Sequence, residues 1–260
     1  MNRVISIVSL TAFFAGCSNS TPLSSEQILI QELSTPELTV KTMPISEYFH
    51  QKMVEPIDIL EIKNREKILK AIVERVTENS NDSLQAAKMW TEFLQDKLVH
   101  PKKPPILNNK QAIYDPIWLL DNKLSHCGQT NRLILDGLKT IGIEGRLVQL
   151  TNHVIAEVFI DGKPIALDAD LLDGGRFFYK SNGEIASAQE IYESPEILNV
   201  LKSQVYTEYD VFSDKLLAKN YWWNYLREGF AEKPFYYVKT AEGDKLENVY
   251  YGWNYYQTEN

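Results

Sequence analysis

Apolar residues recur at helical spacing along the first half of the chain. Two segments show this most clearly, over residues 66–78 and 83–98. In the first segment the apolar positions are Ile68, Ile72, Val73 and Val76. Spacings of three and four residues bring such side chains onto one face and predict two amphipathic helices. Asp82 or Ser83 is the expected N-cap of the second helix. A further short helix is predicted over residues 24–33.

A third helical pattern begins near Cys127 and ends before Gly142, with Ser125 as the expected N-cap. Beyond Gly142 the apolar residues alternate with polar ones, a period of two that is typical of strands. Three strands are predicted, at residues 146–150, 153–160 and 163–168. Asp161-Gly162 separates the last two and indicates a tight hairpin turn. Helices followed by an antiparallel sheet predict the α+β fold class.

The C-terminal part of the chain differs in composition. Asn182-Gly183 indicates another turn, and Ser187 with Glu190 is typical of a capping box at the start of a helix. Aromatic residues are concentrated beyond this point, because 16 of them lie between Tyr206 and Tyr256. Two interpretations are open. The rings pack on the core as edge strands and loops, or they line a groove for a sugar or a peptide.

The N-terminus carries an export pattern. Arg3 precedes an apolar run over residues 4–14, which is too short to span a bilayer and is typical of a signal peptide. The segment Phe14-Ala15-Gly16-Cys17 resembles the bacterial lipobox, and Ser18 resembles an outer-membrane sorting signal. The resemblance implies a signal peptide over residues 1–16, acylation of Cys17 and a lipidated tether over residues 17–45. We therefore expect a lipid anchor in the cell envelope, at the outer membrane and facing the periplasm; a secreted soluble protein is the alternative.

Charge and composition exclude several kinds of function. The formal net charge is -8, and the 27 Lys and Arg residues form no basic stripe. The field that attracts nucleic-acid phosphates is therefore missing, and no nucleic-acid partner is expected. The four histidines show no paired spacing with acids that is typical of a metal site. No cofactor and no metal are predicted.

Cys127 is the candidate reactive group. Once Cys17 is acylated, Cys127 has no intrachain partner, and an unpaired thiol in an oxidising compartment is a candidate nucleophile. The start of a helix stabilises a thiolate. His153 and Asp168 lie at the open end of the predicted hairpin, one on each arm, and therefore provide a base and a group to orient it. The alternative is an inert buried cysteine.

The segment His126-Cys127-Gly128-Gln129 and the residues after it resemble the transglutaminase-like superfamily. In that family a His, a Glu-Val pair, an Asp-Gly turn and a Leu-Asp pair follow the nucleophile. The same order occurs here at His153, Glu157-Val158, Asp161-Gly162 and Leu167-Asp168. The resemblance implies a catalytic triad of Cys127, His153 and Asp168. It also implies a papain-like core in which the helix bearing the cysteine packs on an antiparallel sheet bearing the His and the Asp.

Four further residues, Trp118, Tyr114, His126 and Asp170, are candidates for the surroundings of the triad. The backbone N–H of Cys127 is one expected oxyanion donor, and Trp118 or Tyr114 is the candidate for a second, from a side chain. His126 is expected to be a surface or rim histidine that points away from Cys127, since neighbours on a helix do not share a face. Asp170 has the same strand parity as Asp168, and the family spacing favours Asp168 as the triad member.

These residues predict a transglutaminase-like domain over residues 46–180, with an aromatic-rich extension packed on it over residues 181–260. The implied function is attack of the thiol on an amide or peptide bond through a thioester, as a hydrolase or an acyl transferase. The implied substrate is a peptide or glycopeptide of the envelope. The alternative is a catalytically silent lipoprotein that binds an envelope or polysaccharide-assembly partner in the same cleft.

Overall fold

The structure is a computed structural model, and it describes residues 23–35, 53–54, 59–100, 106–107, 113–170, 177–201, 221–239 and 256–259. The predicted signal peptide, Cys17 and most of the predicted tether lie outside the described residues. The same holds for much of the aromatic C-terminal segment. Among the described residues, none of the helices combines the length and the apolar character that a membrane crossing needs.

The elements follow one another in an α+β order, so the predicted fold class is confirmed. The helices are α1 (Ser25–Leu33), α2 (Ile59–Val76), α3 (Ser83–Lys97), α4 (Pro116–Asn122), α5 (Cys127–Lys139), α6 (Ala188–Glu193), a 3-10 helix (Pro195–Leu201) and α7 (Tyr221–Gly229). The strands are β1 (Met53–Val54), β2 (Ile106–Leu107), β3 (Gly145–Gln149), β4 (Val154–Ile160), β5 (Lys163–Leu167), β6 (Phe235–Lys239) and β7 (Tyr256–Glu259).

The helices predicted over residues 24–33 and 83–98 agree with these bounds to within one residue, whereas the helix predicted over residues 66–78 begins earlier, at Ile59, and ends at Val76. Local hydrogen bonds explain where several of the helices begin. The Ser24 side chain caps α1, and Asp82 caps α3 by accepting a hydrogen bond of 2.7 Å from the backbone N–H of Gln85. The prediction of Ser125 as the N-cap of α5 is wrong. His126 holds that place, and the side chain of Ser125 instead hydrogen-bonds the hydroxyl of Thr130.

Five strands form one antiparallel sheet in the order β5-β4-β3-β6-β7. The β4–β5 hairpin pairs Ala156 with Leu167 and turns at Asp161-Gly162, where both residues have positive φ as a tight turn of this kind requires. On the other side of β3, the C-terminal strand β6 adds to the sheet with Val148 opposite Tyr236. The sheet therefore includes strands from both the predicted catalytic region and the C-terminal extension.

Helices cover both faces of this sheet. One face, which includes Ala156 and Val158 of β4, packs on a core formed with α2, α3 and α5. The other face, which includes Ile155, packs on α6, the 3-10 helix and α7. Buried side chains therefore alternate along β4 between two cores, which explains why the strand is apolar at successive positions. The start of β4 and the end of β5 lie at one edge of this sandwich, beside the first turn of α5.

Candidate active site

The thiol of Cys127 lies at the first residue of α5. His126 precedes it with extended backbone angles, φ -99° and ψ 164°, and its backbone N–H donates a hydrogen bond of 2.8 Å to Oε1 of Gln129. The first N–H groups of a helix have no partner within it and create a positive potential that favours an anion. Cys127 is a free cysteine, and its side chain is only partly buried. A nucleophilic sulfur in this position is supported electrostatically and can be reached from outside.

His153 and Asp168 form a buried hydrogen-bonded pair. His153 immediately precedes β4 and Asp168 immediately follows β5, and Nε2 of the imidazole donates a hydrogen bond of 2.7 Å to Oδ2 of the carboxylate. The exposed fractions of the two residues are 1% and 0%. Because Nε2 is used in this way, Nδ1 is the ring nitrogen that remains to exchange a proton with a nucleophile.

The protonation of His153 depends on both of its neighbours. Burial alone would lower its pKa, but the charge of Asp168 and the hydrogen bond to it oppose that effect, as do a hydrogen bond and a charge interaction with Cys127. Together these raise the pKa of His153 well above its ordinary value. The structure thus brings Cys127, His153 and Asp168 together, and the raised pKa of His153 favours an imidazolium beside the thiol.

Asn131 ties the cysteine-bearing helix to the carboxylate. This fully buried residue lies one helical turn after Cys127. Its Nδ2 lies 3.0 Å from Oδ1 of Asp168, 2.8 Å from the carbonyl oxygen of Val154 and 3.1 Å from that of Cys127. Three acceptor oxygens around one amide nitrogen fix its orientation as a donor. Asn131 therefore holds the helix, the start of β4 and the carboxylate of Asp168 in register.

Two further groups hold Asp168. Its Oδ1 accepts a second hydrogen bond of 3.0 Å from the backbone N–H of Asp170, and Gln95 of α3 donates from Nε2 to its carbonyl oxygen at 3.0 Å. The carboxylate thus meets three donors in all, which offset the loss of water around a buried charge. On the other side, the ring of Tyr225 from α7 stands edge-on to His153 at 5.5 Å between centroids.

A second set of imidazole and carboxylate groups lies beside the thiol. Nδ1 of His126 is 3.6 Å from Sγ of Cys127, and the His126 ring packs on His100 with centroids 4.1 Å apart. Nδ1 of His100 in turn lies 2.8 and 2.7 Å from the two carboxylate oxygens of Asp170. The prediction that His126 points away from Cys127 is wrong. The rule for helical neighbours does not apply, because His126 is the N-cap and its backbone is extended.

The two oxyanion candidates have other surroundings. The ring of Tyr114 is nearly fully buried and lies beneath the guanidinium of Arg132 at 4.6 Å. Trp118 is partly buried against the helical core and lines a cavity of about 250 Å³ with Leu29 and Arg65. These contacts are typical of packing, and the oxyanion role of either side chain stays a prediction.

Sequence reasoning missed three residues of this site. Asn131 could have been found, because it lies four residues after Cys127 and shares its helix face. His100 gave no local signal. It is brought to the site by the bridge between Val99 and Leu124, in which the backbone N–H of Ser125 donates 3.1 Å to the carbonyl of Val99. Tyr225 was part of the aromatic segment, but nothing in the sequence distinguished it from its neighbours.

Away from the thiol, the described part of the chain contains cavities but no candidate metal site. No group of three or more His, Cys, Asp or Glu side chains there is arranged to hold a metal ion. A cavity of about 720 Å³ lies at the turn of the β4–β5 hairpin, lined by residues that include Asp161, Lys163 and Tyr179. It is at the opposite end of the hairpin from His153 and Asp168, so it is separate from the thiol.

Comparisons with known proteins show only a weak similarity to a solved structure. No family model and no curated protein matches the sequence. Among solved structures, the chain is similar to a crystal structure of a "putative protease" from Parabacteroides distasonis ATCC 8503, with 14% sequence identity and a TM-score of 0.35. The match covers 44% of this chain and 26% of that one, so it spans about a quarter of the other protein. A likeness at this level defines neither the fold nor the activity.

Proposed function

We propose that this chain is a cysteine-dependent enzyme of the cell envelope with a papain-like, transglutaminase-like core. It acts on an amide or peptide bond through a thioester intermediate. The nucleophile is Cys127, the proton carrier is His153, and Asp168 orients the imidazole. The observation that carries the proposal is the buried 2.7 Å hydrogen bond between His153 and Asp168, beside a thiol that is only partly buried at a helix start.

The proposed reaction has two halves. The thiolate of Cys127 attacks the carbonyl carbon, the oxygen takes the π electrons, and the tetrahedral adduct collapses as His153 gives its proton to the leaving amine. In the second half His153 removes a proton from the acceptor, which attacks the thioester and releases the thiol. Water as the acceptor gives a hydrolase, and an amine gives a transferase. The raised pKa of His153 supports a proton held ready for the leaving group.

The substrate and the location belong to the same proposal. A lipid on Cys17 would hold the enzyme at the envelope membrane, and a partly buried thiol suits an extended peptide or glycopeptide better than an enclosed small molecule. Replacement of Cys17 by Ser tests the anchor. The variant is expected to leave the membrane fraction or to fail to mature. Retention in membranes at the parental level would contradict a lipid anchor on Cys17.

Selective alkylation tests the proposed nucleophile. Iodoacetamide is applied to the mature protein near neutral pH, and the modified peptide is identified by mass spectrometry. Cys127 is expected to react faster than a free thiol in a peptide of the same sequence, because a thiolate next to an imidazolium is the reactive form. His153→Ala is expected to slow the reaction strongly. A slow reaction that His153→Ala leaves unchanged would overturn the enzyme and favour a silent module that binds an envelope partner.

A further inference from the structure

The proposed reaction needs a side-chain donor to the oxyanion, and the ring of His126 lies where such a donor is required. Nδ1 of this residue is 3.6 Å from Sγ of Cys127. In a tetrahedral adduct the oxyanion is carried by the carbon bonded to that sulfur, so a donor to the oxyanion must itself lie close to Sγ. Donors to such an oxygen lie about 2.7–3.1 Å from it. A ring nitrogen at 3.6 Å from the sulfur is within range of that position, on the side chain directly before the nucleophile.

We propose that the imidazole of His126 is the side-chain donor to the oxyanion, acting together with the backbone N–H of Cys127. This inference rests on the proposed function and assigns the role for which Trp118 and Tyr114 were the sequence candidates. In this role His126 contacts the reacting oxygen directly.

The surroundings of His126 keep the ring in the form that such a donor needs. Burial, and after it the electrostatic interaction with His100, lower the pKa of His126 from 6.5 to about 4; Asp170 opposes this effect and His153 adds to it. At neutral pH the ring is therefore uncharged, with one N–H. The tautomer with the hydrogen on Nδ1 directs it toward the thiol side. A neutral histidine as the electrophile that polarises a carbonyl is a known device of enzymes.

The two imidazoles beside the thiol thus have opposite protonation. His153 is held as the proton carrier by Asp168, and its pKa is raised, whereas His126 stays neutral. A neutral donor can stabilise the oxyanion without competing with the leaving group for a proton. This division explains why two histidines on one sulfur need not be redundant.

His100 and Asp170 hold the His126 ring in place. The His100 ring, fixed by both oxygens of Asp170, packs against it at a centroid distance of 4.1 Å and an interplanar angle of 58°. The backbone N–H of Asp170 also donates to Oδ1 of Asp168. The orientations of the His126 ring and of the Asp168 carboxylate are therefore coupled through Asp170, which contacts both His100 and Asp168.

Two probes with different transition states test the proposal. p-Nitrophenyl acetate acylates the thiol: the thiolate forms a bond to the carbonyl carbon, an oxyanion develops, and p-nitrophenolate leaves as an acetyl thioester remains. Iodoacetamide alkylates the same sulfur by displacement of iodide at a saturated carbon, and no oxyanion forms. The alkylation rate therefore reports the reactivity of the thiolate alone, and the ratio of acylation to alkylation reports stabilisation of the oxyanion.

His126→Leu and His126→Asn form a matched pair. The amide nitrogen of Asn lies at the same number of bonds from Cα as Nδ1 and can donate, whereas Leu has the same branching without a donor. In His126→Leu the ratio of acylation to alkylation is expected to fall about 10- to 100-fold, less than the 10²–10³ lost with an unactivated substrate because p-nitrophenolate leaves easily. His126→Asn is expected to recover much of the ratio.

The outcomes separate the two proposals. If the ratio in His126→Leu stays at the parental value, whether both rates are unchanged or both fall in parallel, His126 is not the oxyanion donor, although Cys127 remains the nucleophile. Parallel loss would instead indicate damage to the helix start. If the parent protein itself shows neither fast alkylation nor acylation above a Cys127→Ser background, the proposed function fails, and the inference about His126 fails with it.

Discussion

Nε2 of His153 donates a 2.7 Å hydrogen bond to Oδ2 of Asp168 across the open end of the β4–β5 hairpin. The pair is diagonal and not directly opposed, because the paired ladder ends at Ala156 and Leu167, with His153 three residues before the one and Asp168 one residue after the other. Residues two apart on a strand share a face, so His153 still lies on the side of the sheet from which Asp168 projects. A short local element thus brings together the imidazole and the carboxylate that are proposed as the base and its orienting acid.

Replacement of Asp168 by Asn tests this relationship. The variant keeps the shape of the side chain but presents an amide that favours the wrong imidazole tautomer. A loss of roughly two to four orders of magnitude in acylation by p-nitrophenyl acetate is expected, by analogy with serine enzymes, in which such a change costs about 10⁴. The rate is measured beside the unfolding curve in urea, so that loss of the fold is recognised.

Asp161→Asn is the control for that experiment. Asp161 is exposed at the turn of the same hairpin, with φ 51°, a conformation that Asn tolerates well. Its replacement is expected to change neither acylation nor stability measurably. Asp170→Asn is unsuitable as a control, because Asp170 holds His100. Equal rates in Asp168→Asn and the parent would remove Asp168 from the triad.

Asn131→Asp is expected to lose stability in a pH-dependent way. The new carboxylate would face three acceptor oxygens with no proton to donate, which leaves a buried charge uncompensated and costs about 3–5 kcal/mol near neutral pH. Protonation restores a donor, so the deficit relative to the parent should narrow as the pH falls. Urea unfolding near pH 8 and near pH 5 measures it.

Asn131→Leu is the matched variant, because it removes the donor without adding an acid. Its deficit of about 1–3 kcal/mol, the cost of unsatisfied buried groups, should not recover at low pH. Acylation should follow the same pattern, rising at low pH relative to the parent only in Asn131→Asp. A pH-independent deficit in both variants would show that Asn131 fills space and does not donate to Asp168.

The fold class and the hairpin could be predicted because their signals are local. The change from helical to alternating spacing after Gly142 locates the sheet, and Asp161-Gly162 fixes the turn and therefore the end at which His153 and Asp168 meet. The helix that begins at Cys127 followed from the same kind of pattern. The sequence alone therefore predicts Cys127 at the start of α5, and His153 and Asp168 at the open end of the β4–β5 hairpin.

The rest of the site depends on contacts between segments that are distant in sequence. His100 lies near the thiol because an isolated β-bridge joins Val99 to Leu124. The spacing of apolar residues along the sequence does not predict such a bridge. His126 was misplaced because one residue separates extended from helical backbone, and that residue decides the direction of its side chain. Helix boundaries are the least certain part of any pattern, so errors of this kind concentrate at helix starts.

An ion pair between the partly exposed Arg146 and the fully buried Glu157 joins β3 and β4 to the start of α6. Nε and an Nη of Arg146 each lie 2.8 Å from Oε2 of Glu157, and Oε1 accepts 2.9 Å from the backbone N–H of Ala188 at the start of α6. Arg146→Met leaves the fully buried carboxylate without its partner and should cost about 3–5 kcal/mol of unfolding free energy. Glu157→Gln keeps an acceptor for Ala188 and should cost less. A smaller loss for Arg146→Met than for Glu157→Gln in urea unfolding would contradict the assignment.

His126 should also leave a signature in the pH dependence of stability. Its pKa is lowered to about 4 by burial and by His100, against 6.5 in the unfolded chain, so between those values the unfolded state binds the proton more readily. The folded protein therefore loses stability as the pH falls from 6.5 toward 4. Because the ring is partly exposed, we expect this loss of unfolding free energy to be roughly 2 kcal/mol, discounted from 1.36 kcal/mol per pKa unit.

Urea unfolding of the parent and of the His126→Leu and His126→Asn variants measures this loss. The part of the loss that comes from the imidazole should disappear in both variants. Both variants lack the imidazole but only Asn caps the helix well, so a common result excludes a capping effect. If both retain the slope of the parent, carboxylates account for the acid loss and His126 is not held neutral by its surroundings.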